Sequence, residues 1–213
     1  SEENPWYYRF LLKEKEHTAQ MQLEVLKAQI NPHFMFNNFS ILSELIMEDH
    51  CLAEKFLDNL SKVYRYVIQN LKRDMIPISE EIVFLRSYIY LMHIRYGDAV
   101  RIEVDDALEH TKGLIPPTCL QLLVENAIKH NSMSRQIPLS IRIYCKGNDV
   151  VVENDLHPVA SNLTSTGIGH RNIIERYFLL CKRKPVIEKQ GKKYIVKLPI
   201  IYNESYEHTD NRR

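Results

Sequence analysis

The sequence predicts an α+β fold in which an N-terminal helical hairpin is followed by an α/β sandwich. Glycine is absent from residues 1–96, which permits long helices in that part of the chain. Beyond residue 96, short stretches of alternating apolar and polar residues lie between helical patterns, as expected for a sheet with helices on one face. We therefore expect a helical domain at residues 1–74, an α/β domain at residues 75–202 and a polar tail at residues 203–213.

The first helical pattern is a heptad repeat that reaches a histidine. One seam of the repeat contains Leu12, Ala19, Leu26 and His33. Pro32 lies inside the pattern, so we expect the helix to bend or loosen just before His33.

The second helical pattern has apolar residues at the spacing of one helix face. They are Ala53, Phe56, Leu57, Leu60, Tyr64, Val67 and Leu71. A short polar stretch at residues 48–50 joins the two helices into a hairpin. Because neither apolar face has another evident partner, two hairpins should form a four-helix bundle, and we expect a homodimer.

The α/β domain should begin with a helix that starts at Ser79 and stops at Gly97, followed by a strand. The residues Pro116, Pro117 and Thr118 should open the next helix, which ends near Asn131. Four further elements are predicted: strands at residues 137–145 and 150–152, a helix at residues 168–180, and a closing hairpin at residues 186–198. Residues 155–166 should form a loop.

The sequence argues against nucleic-acid binding, a zinc site and a membrane span within these residues. The formal net charge is +1 and basic residues form no long block, so nucleic-acid binding has no electrostatic basis. The four cysteines make no CxxC pair, and zinc would need clustered ligands. No apolar stretch approaches the ~20 residues of a membrane span.

The first cluster of chemically capable residues surrounds His33. Gln29 and Asn37 lie one helical turn before and after it, and amides in these positions can hold the imidazole ring in a chosen orientation. A neutral imidazole has a lone pair that can accept a phosphoryl group. The alternative interpretation is a histidine that only packs between helices, beside Phe34 and Phe36.

The second cluster lies in the helix that follows Pro117. Glu125, Asn126, Lys129 and His130 occupy adjacent helical positions on a polar face. Asparagine and glutamate oxygens suit Mg²⁺, and lysine suits phosphate. A solvated helix face is the alternative interpretation.

The third cluster is a short glycine motif before the predicted helix at residues 168–180. Gly167 and Gly169 permit close approach of the backbone to a ligand, and the N–H groups at the start of the helix can bind an anion. A plain turn from loop to helix would have the same residues.

The order and intervals of the three clusters resemble the LytS-like family of sensor histidine kinases over residues 26–198. Residues 29–37 resemble the phosphoacceptor motif of that family. Residues 123–130, with Ile115, Pro116 and Pro117 before them, resemble its N box. Residues 167–169, together with Asn172, resemble its last glycine box.

The resemblance implies a two-part kinase that uses ATP and Mg²⁺. The hairpin would be the dimerisation and histidine phosphotransfer domain, with His33 as acceptor, and the α/β part a GHKL-type ATP-binding domain. Asn126 would hold Mg²⁺, assisted by Glu125. The remaining nucleotide-binding residues would be Lys129, His130, Asn154, Gly167, Gly169 and Asn172.

The same resemblance implies partners and a location. A response regulator, of the LytTR type in this family, would receive the phosphoryl group on an aspartate. The chain would be the cytoplasmic portion of a bacterial inner-membrane protein, attached through a segment outside these residues.

The sequence departs from the family pattern after the central strand. Asn154 stands where the family has an aspartate that binds the adenine amino group, and the two glycines that follow in the family are missing. An asparagine carbonyl can accept the same hydrogen bond without a charge. Two hypotheses therefore stand: an active histidine kinase, or a degenerate kinase that acts as a phosphotransfer or signalling scaffold.

Overall fold

A computed structural model describes residues 6–7, 9–17, 32–159, 177 and 183–202. Residues 9–17 are helical. The α-helices that follow are α1 (Pro32–Glu48), α2 (His50–Gln69), α3 (Ile78–Tyr96) and α4 (Cys119–His130). The strands are β1 (Ile76–Pro77), β2 (Val100–Val104), β3 (Leu114–Ile115), β4 (Leu139–Lys146), β5 (Asp149–Asp155), β6 (Val186–Gln190) and β7 (Lys193–Pro199). Helical and sheet parts follow one another as expected, which confirms the predicted α+β class.

The helical hairpin turns at Asp49. The Asp49 side chain accepts a hydrogen bond from the Leu52 N–H at 3.0 Å and so caps the start of α2. The predicted polar turn at residues 48–50 is therefore confirmed. The heptad before His33 lies mostly outside the described residues, which resume at Pro32.

Helix α2 packs against α3 within the same chain. Phe56, Leu60, Val63 and Val67 of α2 are buried in one hydrophobic core with the α/β part. The expectation that the apolar face of α2 has no partner in its own chain is therefore wrong, because α3 covers it. The domain division at residue 74 stays a prediction.

Large apolar side chains of the hairpin nevertheless remain exposed. On α1 and α2 they are Phe36, Phe39, Ile46, Met47, Leu57 and Ile68. We call these six residues the exposed hairpin face. They leave a surface that a second copy of the hairpin could cover.

Within the described residues, five strands form one mixed sheet in the order β2-β4-β5-β7-β6. The pair β2–β4 is parallel and the other neighbouring pairs are antiparallel. Alternate residues of β4, including Leu139, Ile141 and Ile143, are buried on the face where α4 packs. The sheet is thus covered by helices on one face, as predicted.

The opposite face of the sheet has ion pairs between strands. Lys193 lies 2.8 Å from Asp155 and 3.6 Å from Glu153, and Lys197 lies 2.8 Å from Glu188. These pairs are partly exposed, so each contributes little to stability. They lie on the same face as the buried Val151 and Ile195, so this face is mixed in character.

Three elements differ from the sequence expectation. Ile137 lies outside β4, because its N–H and carbonyl bond to Ser134 in a local turn, and its side chain is 62% exposed. Strand β5 extends to Asp155, beyond the predicted residue 152. Strands β1 and β3 pair as a small antiparallel sheet that the sequence did not indicate.

The predicted helix at residues 168–180 lies outside the described residues except for Tyr177, whose side chain is fully buried. The closing hairpin is confirmed by β6 and β7. Among the helices of the described residues, none has the length and apolar character needed to cross a membrane.

Candidate functional site

The first part of the site is His33, which lies in α1. Its imidazole is exposed, and the Asn37 side-chain nitrogen lies 3.2 Å from His33 Nδ1. The predicted i, i+4 contact between these residues is therefore present. It holds the ring at Nδ1 and leaves Nε2 outside this contact. Gln29, expected on the other side, lies outside the described residues.

The neighbouring Phe34 anchors this helix to the rest of the chain. Its ring stacks on that of Tyr88 in α3, with centroids 5.8 Å apart. The Phe34 carbonyl also accepts a hydrogen bond from the buried Asn38 side chain at 2.7 Å. An exposed His33 is thus held beside a residue packed into the core.

The second part of the site is the polar side of α4. Leu120, Leu123, Val124, Ala127 and Ile128 are buried and fix the rotation of the helix. That rotation leaves Glu125, Asn126 and His130 half-buried and Lys129 exposed. The four predicted residues therefore share one side of one helix.

Asn126 has a side-chain amide suited to a ligand. Its Nδ2 is buried and has no hydrogen-bond partner among the described residues. Buried amides are normally bonded, so an open one at this position needs an explanation. A phosphate oxygen could accept from the amide nitrogen, and a hard cation could bind the amide oxygen.

His130 contributes a neutral ring rather than a positive charge. Burial, and then the charge of Lys129, lower the pKa of His130 below its usual value. At pH 7 its imidazole is therefore uncharged. Lys129 supplies the fixed positive charge on this side of α4.

The third part of the site is the end of β5, against which α4 packs. Asn154 is buried, and its side-chain nitrogen donates to the Asp155 carbonyl at 2.7 Å. This bond uses the amide nitrogen and leaves the Asn154 oxygen as the group that can accept. The role of Asn154 as adenine acceptor stays a prediction.

Hydrogen bonds attach the segment after β5 to the end of α4. The Asn131 side-chain oxygen accepts from the His157 N–H at 2.7 Å, and the His157 carbonyl accepts from the Ser132 N–H at 2.7 Å. The Val159 N–H reaches the His130 carbonyl at 3.4 Å. The glycine-free segment is thus held in place by Asn131 and its neighbours.

Sequence reasoning missed Asn131 and His157. The sequence predicts only a helix end near Asn131, whereas the Asn131 side chain links α4 to the segment after β5. His157 Nδ1 is also buried without a hydrogen-bond partner among the described residues. The one available signal was a polar residue directly after the four polar residues of α4.

The structure places Asn37 beside His33 and packs α4 against β5, the strand that contains Asn154. Gly167, Gly169 and Asn172 lie outside the described residues. A separate open cleft of about 540 Å³ lies between α2 and α3, lined by residues that include Arg65, Tyr66 and Glu80. The cleft is not lined by Asn126 or Asn154.

The chain is similar in sequence to known histidine kinases. Residues 21–100 match the family described as histidine kinase. The sensor protein LytS of Enterococcus faecalis is 34% identical over 149 residues, which cover 69% of this chain and 24% of that protein. The sensor protein LytS of Staphylococcus haemolyticus is 33% identical over 150 residues, covering 70% of this chain and 24% of that protein.

The chain thus spans about a quarter of the length of these relatives. Among solved structures, the blue-light activated histidine kinase EL346 of Erythrobacter litoralis is similar, with a TM-score of 0.43 and 15% identity. That likeness covers 87% of this chain and 61% of the other. The sequence matches place the chain in the LytS-like family of sensor histidine kinases.

Proposed function

We propose that this chain is the kinase core of a two-component sensor, which phosphorylates His33 from MgATP and passes the phosphoryl group to an aspartate of a response regulator. The observation that carries the proposal is the exposed His33, bonded at Nδ1 to Asn37, inside the region that matches the histidine kinase family. An oriented imidazole in solvent is accessible both to a nucleotide and to a partner protein.

The nucleotide would bind between α4 and the end of β5. Bound ATP would supply the transferable phosphoryl group, and Mg²⁺ would offset the negative charge of the phosphates. Asn126 would hold the cation through its amide oxygen, assisted by Glu125, while Lys129 and the neutral His130 face the phosphates. Asn154 would accept from the adenine amino group, and Gly167, Gly169 and Asn172 would line the remaining side.

The chain's own residues would contribute mainly position and charge. Asn37 orients the acceptor ring, and the Phe34 contact with Tyr88 holds the acceptor helix on α3. Phosphoryl transfer needs little covalent help from the protein, so such positioning is the expected contribution.

We further propose a homodimer that buries the exposed hairpin face, and a response regulator of the LytTR type as partner. Attachment to the bacterial inner membrane would come from a segment outside these residues. Support for the dimer is the set of apolar side chains that the hairpin leaves in solvent.

A second candidate function is a scaffold that does not turn over ATP. It is favoured by the segment after β5, which has no glycine and is bonded to the end of α4. A fixed segment at the mouth of the proposed pocket could narrow access for a nucleotide.

Incubation of the purified chain with γ-labelled ATP and Mg²⁺ separates these candidates. The kinase should acquire acid-labile label, His33→Ala should lose it while still binding nucleotide, and His50→Ala should keep it. His50 is the matched control because it is an exposed histidine of the same hairpin. Full labelling of His33→Ala would contradict the acceptor assignment, and a wild-type chain that neither labels nor binds MgATP would favour the scaffold.

A further inference from the structure

A buried carboxylate connects the hairpin to the start of α4. Glu81 of α3 is fully buried, and its Oε2 accepts from the Tyr66 hydroxyl of α2 at 2.5 Å. The same oxygen accepts from the Thr118 N–H at 3.0 Å, and Oε1 accepts from the Leu120 N–H at 3.2 Å. One side chain therefore links α2, α3 and α4.

The start of α4 depends on this carboxylate for hydrogen bonding. The first N–H groups of a helix have no partner within the helix. Thr118 occupies the cap position with φ of 63°, a conformation that β-branched residues rarely adopt, and its side chain makes no capping bond. Glu81 supplies the acceptors from another helix, and its negative charge suits the positive end of the helix dipole.

Packing fixes the ring of Tyr66, and its hydroxyl donates a hydrogen bond to Glu81. Its ring stacks on Phe84 with centroids 4.0 Å apart and planes 10° apart. Burial, and then the adjacent Glu81 carboxylate, raise the pKa of Tyr66 far above its usual value. The hydroxyl therefore keeps its proton at physiological pH.

We propose that Tyr66 is a positioning residue for phosphoryl transfer, because its bond to Glu81 orients the His33 hairpin relative to the helix that contains Asn126. This inference rests on the proposed kinase function. Loss of the bond leaves the hairpin and α4 folded but lets them shift against each other. Misplacement of reacting groups lowers the rate of transfer more than it lowers nucleotide affinity.

The chain has a closely matched control for this test. Tyr64 lies on the same helix, and its hydroxyl is buried without a hydrogen-bond partner among the described residues. Tyr66→Phe and Tyr64→Phe each remove one hydroxyl and keep the aromatic ring. They differ in whether the lost hydroxyl was bonded to Glu81.

The first measurement compares single-turnover labelling of His33 at saturating MgATP with the affinity for a non-hydrolysable ATP analogue. Tyr66→Phe should label at least about fivefold more slowly, with affinity within about twofold of wild type, since the lost bond is to a charged group. Tyr64→Phe should match wild type in both. A Tyr66→Phe variant that labels at the wild-type rate, or that loses rate and affinity in equal proportion, would overturn the proposal.

The second measurement does not need kinase activity. Hydrogen exchange at the Thr118 and Leu120 amides should be faster in Tyr66→Phe than in wild type and unchanged in Tyr64→Phe. If the wild-type chain shows no labelling, the proposed function fails, and the exchange comparison still decides whether Tyr66 orders the start of α4. Equal exchange in both variants would overturn the contact itself.

Discussion

The ring of Phe34 stacks on the ring of Tyr88, with centroids 5.8 Å apart and planes inclined by 25°. Phe34 follows His33 directly, and Tyr88 is a buried residue of α3 whose pKa is raised well above the usual value, by burial first and then by the charge of Glu125. Phe34, which is next to the proposed acceptor, therefore contacts a residue of α3 that is close enough to α4 to be affected by the charge of Glu125.

The first prediction concerns this stack. Phe34→Ala should lower the free energy of unfolding by about 1–3 kcal/mol, because Phe34 is half-buried and its ring would leave a gap over Tyr88. Phe34→Leu, which keeps most of the apolar volume, should lose less than half as much. Denaturant titration measures both free energies of unfolding. Equal losses for the two variants would show that the aromatic ring, and not apolar volume, gives the contact its stabilising effect.

The second prediction compares two asparagines near the end of α4. Asn126→Ala should abolish Mg²⁺-dependent nucleotide binding and change the free energy of unfolding by less than about 0.5 kcal/mol, because its buried amide nitrogen has no partner to lose among the described residues. Asn131→Ala should instead lose about 1–3 kcal/mol, because that amide donates to the Ala127 carbonyl and accepts from the His157 N–H.

Calorimetry with MgATP and thermal denaturation test these two variants together. A large loss of stability in Asn126→Ala would assign its amide to the fold rather than to a ligand. Unchanged stability in Asn131→Ala would mean that the segment after β5 is held by other contacts.

The third prediction concerns Gly113, which precedes β3. Its φ is 117°, and a Cβ placed there would overlap the Ile200 side chain, so Gly113→Ala should lose about 2–4 kcal/mol of unfolding free energy. Gly191→Ala is the control, since its φ of 59° is also positive but an added Cβ meets no atom of the structure within 4 Å. Gly191→Ala should lose about 1 kcal/mol of unfolding free energy. A comparable loss in both variants would show that overlap with Ile200 does not explain the effect at Gly113.

The fourth prediction concerns the proposed dimer. Phe36 is 66% exposed, so Phe36→Glu should dissociate the dimer in light scattering while leaving the thermal transition of the monomer intact. Leu60→Glu should unfold the chain instead, because Leu60 is 3% exposed within its own core and a buried unpaired charge is strongly destabilising. A wild-type chain that is monomeric at micromolar concentration would contradict the dimer.

Local chemistry was sufficient to predict most element boundaries. The turn at Asp49, the helix end before Gly97 and the hairpin around Gly191 each depend on a capping side chain or a positive φ, which neighbouring residues determine. Strand β4 began two residues later than predicted, because the Ser134 turn used the backbone groups of Ile137. Alternation alone does not reveal such a competing local bond.

The sequence by itself determined the class of fold, the family resemblance and the identity of the candidate residues, because helical periodicity, turn residues and motif spacing are properties of short stretches. Only the tertiary structure decided that α3 covers α2, that Asn131 holds the segment after β5, and that Glu81 joins Tyr66 to Thr118 and Leu120. These contacts connect residues 15 to 39 positions apart. Their partners are chosen by how the packed elements fit together, and no local pattern contains that information.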